Sequence, residues 1–205
     1  MSLHNTDTDF FGKQEGERIL FVVRPHQIAL IFKLIKIYAV SLVVLIALTV
    51  LGTQLLSLSI FITIGLILAV LTAVIGTKIV VNYQGRDIAY ITDRRLVRFE
   101  PTTLVATNPR SLTWDEVVKV KTYPPNMLWK QLAIGNVVVH ARTSIRTAED
   151  VPAGTVTADD VEINDVYFYK DLGNYIDKIL FTYKQKPKEM ETIHAFVPKP
   201  RGERY

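Results

Sequence analysis

Residues 37–77 carry no charged side chain, a run of 41 positions between Lys36 and Lys78. A single helix of that length would measure about 60 Å, roughly twice the hydrocarbon core of a bilayer. The run therefore has to fold back. Gly52, Thr53 and Gln54, helped by Ser57 and Ser59, supply a turn, and the pattern predicts helices over residues 28–51 and 55–77. Lys33 and Lys36 fall near the start of the first helix, where long stems can carry their ammonium groups to the headgroups. Tyr38 and Tyr83 suit the same level. Gly65, Ala69 and Ala73 recur at four-residue spacing, and small residues let helix backbones approach closely in lipid. That stripe predicts packing against the first helix of the same chain, or contact between protomers.

Beyond the hairpin the period changes from helical to alternating. Residues 88–92 and 96–100 read as paired strands around a turn at Asp93-Arg94, with Asp93 capping the turn through its side chain. One or two strands are expected over 104–114. Over 117–122, Val118, Val120 and Thr122 alternate with Lys119 and Lys121. A short helical turn over 127–134, strands over 136–141 and 161–166, and a polar loop over 143–159 follow. Phe168, Leu172, Ile176, Ile179, Leu180 and Tyr183 then fall on one stripe of an amphipathic helix. Gly173 costs that helix about 1 kcal/mol relative to alanine, so packing must hold it. The expected organisation is an N-terminal cytoplasmic segment (1–27), a transmembrane hairpin (28–82), a cytoplasmic domain (83–184) and a basic, disordered tail (185–205). The predicted class is a membrane α-hairpin plus an α+β domain. That domain is a curved antiparallel sheet or partly open barrel capped by a C-terminal helix.

Composition agrees with this division. Hydrophobic residues make up 49% of the 205, and the mean hydropathy is +0.21. Without cysteine, disulfides, thiolate metal sites and cysteine nucleophiles are excluded. The net charge of +4 suits a protein beside anionic lipid but is too weak to predict nucleic-acid binding. Positive charge flanks the hairpin (Arg24, Lys33 and Lys36 before it, Lys78 and Arg86 after it) and is missing from its turn, which predicts both termini in the cytoplasm. The preceding acidic segment (Asp7, Asp9, Glu15, Glu17) and the length of the run argue against a signal peptide.

Tyr90-Ile91-Thr92-Asp93-Arg94-Arg95-Leu96 resembles the signature strand pair of bacterial pleckstrin-homology-like (PH-like) domains, found in small membrane proteins with a helical hairpin before the domain. Residues 16–20 resemble that family's lead-in, and 112–117, 132–138 and 162–166 resemble later segments; together the likeness spans about residues 16–182. It implies a PH-like sandwich of seven strands capped by a C-terminal helix, facing the cytoplasm of a bacterial inner membrane, and no enzymatic activity.

Candidate chemistry is sparse. His4, His26, His140 and His194 are far apart, with no metal-ligand spacing between them. No nucleophile elbow, phosphate-binding loop or dinucleotide fingerprint is present. No catalytic residue, cofactor or metal is expected. Arg86, Arg94, Arg95 and Arg98 form the densest basic cluster, either contacting lipid headgroups or lying on solvated strand faces beside Asp87 and Asp93. Trp114 and Trp129 suit core or interface anchors. The leading expectation is a non-enzymatic membrane-anchored module binding a protein partner or a second copy through a strand edge. The alternatives are anionic-lipid sensing by the basic strand face and an accessory chain of a transporter.

Overall fold

The computed structural model describes residues 9–54, 58–142 and 160–197. They form two compact units: the segment 27–86, and the two flanking segments folded together. The first unit is a helical hairpin of α1 (Gln27–Gln54) and α2 (Leu58–Arg86). Its helices run antiparallel. Ile37 meets Gly76, the Ser41 hydroxyl donates to the Ala69 carbonyl at 2.5 Å, Leu45 and Leu48 cover Gly65, and Gly52 meets Phe61. Gly65 and Ala69 are buried by this packing and Ala73 is half-buried, so the small-residue stripe faces the first helix of its own chain. A Cβ on Gly76 would lie 2.7 Å from the Ile37 side chain.

Both helices are long and apolar enough to cross a membrane, and almost none of either apolar window is buried within the chain. Ile46, Val43, Ile67 and Val70 are among the many side chains left about half exposed. A soluble core helix would bury them. The second helix continues nine residues past the expected end at Thr77, because Ile79, Val80 and Val81 extend its apolar run and Lys78 does not break a helix.

Among the described residues, the second unit contains seven strands and a long helix after the last of them. Strand β1 (Ile19–Val23) pairs antiparallel with β2 (Ile88–Thr92), β2 with β3 (Arg95–Pro101), and β3 with β4 (Thr107–Thr113). A second antiparallel sheet holds β5 (Val117–Tyr123), β6 (Ile134–Ala141) and β7 (Val161–Tyr167) in that order. The short helix α3 (Met127–Gln131) joins β5 to β6, and α4 (Tyr169–Gln185) follows β7. The unit is α+β, as expected. One core takes Leu20, Ile91, Leu96 and Leu112 from the first sheet, Val117, Val137, Val139 and Ile163 from the second, and Leu172, Ile176 and Ile179 from α4. Trp114 is fully buried in it. Gly173 is where α4 meets β5: a Cβ there would run into the Thr122 side chain.

Several expectations are corrected. The segment before the hairpin is not a mere lead-in but the edge strand β1, so the hairpin is an insertion between the first two strands, and the domain does not start at residue 83. The chain from 185 to 197 is not a disordered tail. A 3-10 helix (Pro187–Thr192) turns it back, and Met190, Ile193 and Phe196 enter the main core. Phe196 packs between Phe21 and Tyr175, with ring centroids at 4.8 and 5.2 Å. A bulge between Val117 and Lys119 shifts the β5 alternation, so that Val117 is buried and Val118 exposed. Phe168 lies at the start of α4, with φ 56°, rather than on its buried stripe. The expected polar loop at 143–159, part of the hairpin turn and the last eight residues lie outside the described residues.

Candidate functional site

The chain leaves the strand unit at His26 and returns at Asp87; three residues separate β1 from α1 and one separates α2 from β2. The register fixes which end of the unit this is. Val23 pairs with Ala89 and Ile88 with Phe99, and the β3–β4 ladder runs two pairs further, to Pro101 and Thr107. The end of β1, the start of β2 and the β3–β4 turn therefore share one end.

Asp165, two residues before the end of β7, belongs there too. Its carbonyl accepts from the His26 N–H at 2.8 Å, and its carboxylate accepts from Trp129 Nε1 on α3 at 2.9 Å. Its own N–H donates to Asn136 Oδ1. Asp165 has φ 56°, in the left-handed region that Asp and Asn tolerate better than most residues. Asp87, the first residue after the hairpin, takes both arms of Arg98: Nε and Nη2 each donate at 2.9 Å. The third nitrogen, Nη1, donates to the Glu162 carbonyl on β7. Arg98 is buried and thereby ties both sheets to the point where the chain returns. Tyr123 and Asn136 share Glu162 Oε1 at 2.6 and 2.9 Å; burial, and then this bond, raise the Tyr123 hydroxyl above its ordinary pKa. The His26 ring lies 5.0 Å from that of Tyr167, and burial lowers its pKa below 6.5.

The opposite end carries a different cluster. The Thr92 hydroxyl accepts from the N–H groups of Arg94 and Arg95, so Thr92, not Asp93, caps the β2–β3 turn. Asp93 instead accepts from the backbone and side chain of Arg18 at 3.0 and 3.4 Å, holding β1 in place. Arg95 grips the Glu17 carboxylate through Nε and Nη2, both at 3.0 Å, with the Glu17 side chain fully buried. Burial pushes the Glu17 carboxyl up, but hydrogen bonds from Arg95, Gln14 and Thr92, with the charge of Arg95, hold it below its ordinary value. Phe10 covers the outer face of the first sheet beside Tyr90, Val97 and Phe99.

The four arginines singled out from the sequence are thus not gathered on one surface. Arg94 is exposed and reaches Gln14, Arg95 belongs to Glu17, Arg98 to Asp87 at the other end, and Arg86 is the last residue of α2. Trp114 and Trp129 are both buried, their indole N–H groups bonded to the Thr92 carbonyl and Asp165. His140 pairs with buried Asp160 at 2.9 Å. Among the described residues no group of His, Cys, Asp or Glu is arranged to hold a metal ion.

No protein-family model, curated protein or solved structure matches the chain. Its chemistry has to be read from its own geometry.

The ion pairs described hold elements of the strand unit together, and apolar side chains stand exposed at one of its ends. At the end that carries the chain exits, Val105 in the β3–β4 turn is 85% exposed and Met127 on α3 is 79% exposed. Leu104, Leu128 and Tyr167 beside them are each more than a third exposed. In the sequence, 104–114 read as strand and 127–134 as a short helical turn; the strand instead starts at Thr107, which leaves Leu104 and Val105 in the β3–β4 turn.

Proposed function

We propose that this chain is a membrane-anchored, non-enzymatic interaction module: the hairpin spans a bacterial inner membrane, and a PH-like domain on the cytoplasmic side binds a protein partner, foremost a second copy of itself. The observation that carries the reading is the insertion of the hairpin between β1 and β2. Antiparallel helices with both ends held by one domain put that domain on a single side of the bilayer. Uncharged residues 37–54 and 58–77 give about 27 and 30 Å of helix, which matches the hydrocarbon thickness. Basic residues flank the run at the domain side, in keeping with the positive-inside rule.

Four strands, then three, then an amphipathic helix support the PH-like reading. The edge of β4 is a route to self-association. It ends the first sheet, and most of its residues are exposed. Pro109 blunts part of this edge, as edge prolines do, so pairing there is restricted to the residues on either side. The test is the mass of the full chain in mild detergent. A protein mass above the 23.2 kDa of one chain supports self-association; a strict monomer at high concentration overturns it.

Two of the four arginines named for the lipid-sensing alternative, Arg95 and Arg98, are engaged by Glu17 and Asp87, which weighs against that reading.

A further inference from the structure

We infer that the domain docks on its own bilayer through apolar tips, Val105 of the β3–β4 turn and Met127 of α3, which enter the lipid interface. This rests on the reading that the hairpin spans a membrane, and it places lipid contact at a different end of the domain from the Arg94-Arg95 turn.

Three observations converge. First, the tips share one end with both chain exits. The β3–β4 ladder passes the first residue of β2 by two pairs before turning, so the turn projects about 10 Å at roughly 3.3 Å per residue plus the loop. Asp165 joins His26, one residue before α1, to Trp129 of α3. Second, these tips are apolar and uncharged. Residues 101–109 and 124–129 contain no charged side chain, yet Val105 and Met127 are the most exposed large apolar side chains of the two segments. Third, the chain between the strand unit and the uncharged run is short. Residues 27–36 are ten, at most about 15 Å as helix, and the headgroup layer takes up about 5–7 Å. Lys130 and Lys170, which line an open cavity with Phe168, Tyr169 and Asp171 behind the α3 tip, add positive charge suited to anionic headgroups.

The chain has no cysteine, so single thiols can be placed at will. Full-length variants Val105→Cys, Met127→Cys, Val118→Cys, Phe181→Cys and Ile67→Cys would each carry an environment-sensitive fluorophore. They would be reconstituted in phosphatidylcholine–phosphatidylglycerol vesicles, with and without lipids bearing a nitroxide on the acyl chain. All five positions are exposed, so folding is not at stake. Val118 lies at the far end of β5 and Phe181 in the last turns of α4; Ile67 lies within the apolar run of α2. The expected result is strong quenching at Ile67, clear quenching at Val105 and Met127, and several-fold less at Val118 and Phe181. Quenching at Ile67 but not at Val105 and Met127 overturns the docking and leaves the membrane span standing. Absence of quenching at Ile67 overturns both.

Discussion

Asp87→Ala should be among the most damaging single changes in the strand unit. The Arg98 side chain is 6% exposed and that of Asp87 19%. Removing Asp87 deletes two hydrogen bonds of 2.9 Å and leaves a buried guanidinium with the Glu162 carbonyl as its remaining partner in this cluster. Breaking a buried pair from one side costs about 3–5 kcal/mol. Arg98→Met strands a carboxylate that already sees water, so the loss should be smaller, about 1–3 kcal/mol. The double variant should recover part of the Asp87→Ala loss, because a thioether in that space needs no counter-charge. Trp114 and Trp129 are the chain's two tryptophans, and both lie in the strand unit, so tryptophan emission reports its unfolding without interference from the hairpin. The assay is urea unfolding of the full chain in detergent. With a slope of about 1–3 kcal/mol per molar urea, Asp87→Ala should lower the midpoint by about 1 M or more. A loss below about 1 kcal/mol, or a double variant worse than Asp87→Ala, would refute the reasoning.

Other changes separate packing from propensity. Phe196→Ala should cost about 3–5 kcal/mol, since Phe196 fills the space between Phe21 and Tyr175; a surface tail would lose almost nothing in the same urea assay. Gly173→Ala should destabilise by about 1–3 kcal/mol despite its gain in helix propensity, because the added methyl meets Thr122. Gly85→Ala in α2 meets no described atom within 4 Å and should be neutral or slightly stabilising; equal effects at the two glycines would contradict this. Glu17 has its pKa lowered in the fold, so its contribution is complete above the ordinary value of 4.5 and fades as pH falls through the lower folded value. Midpoints measured from pH 6 downward should show that acid loss in the native chain and less of it in Glu17→Gln. Replacing residues 27–86 by a short Gly-Ser loop should leave a folded soluble domain, because β1 and β2 are paired neighbours. A fragment starting at residue 83 lacks β1 and should fail to fold, as its tryptophan emission would show.

Most of the fold could be read from period and charge. The uncharged run gave the hairpin, and alternation with turn residues gave the strands nearly to the residue at 88–92 and 161–166. What escaped the sequence depends on contacts distant along the chain. Ile19–Val23 looks like any short apolar stretch, and it becomes a strand because β2, about seventy residues later, offers it an edge. Met190, Ile193 and Phe196 are diluted among lysines and prolines, so local composition reads as disorder while Tyr175 and Phe21 supply the missing core. The arginines looked like a cluster because they are close in sequence. On a strand pair, however, Arg95 and Arg98 sit at opposite ends, and each meets a carboxylate from beyond its own hairpin turn. The exposed tips were not legible as neighbours: Leu104 and Val105 read as part of a strand over 104–114 and Met127 as part of a helical turn, and no local pattern says which connections share an end.

The most direct test of the membrane-anchored arrangement is side-specific labelling of single cysteines in sealed vesicles with an impermeant maleimide. Gln54→Cys marks the hairpin turn, Phe11→Cys the segment before the hairpin, and Phe181→Cys the domain after it; all three positions are exposed. The account predicts that Phe11→Cys and Phe181→Cys are labelled from the same side and Gln54→Cys from the other. Labelling of Gln54→Cys from the same side as the other two would contradict it.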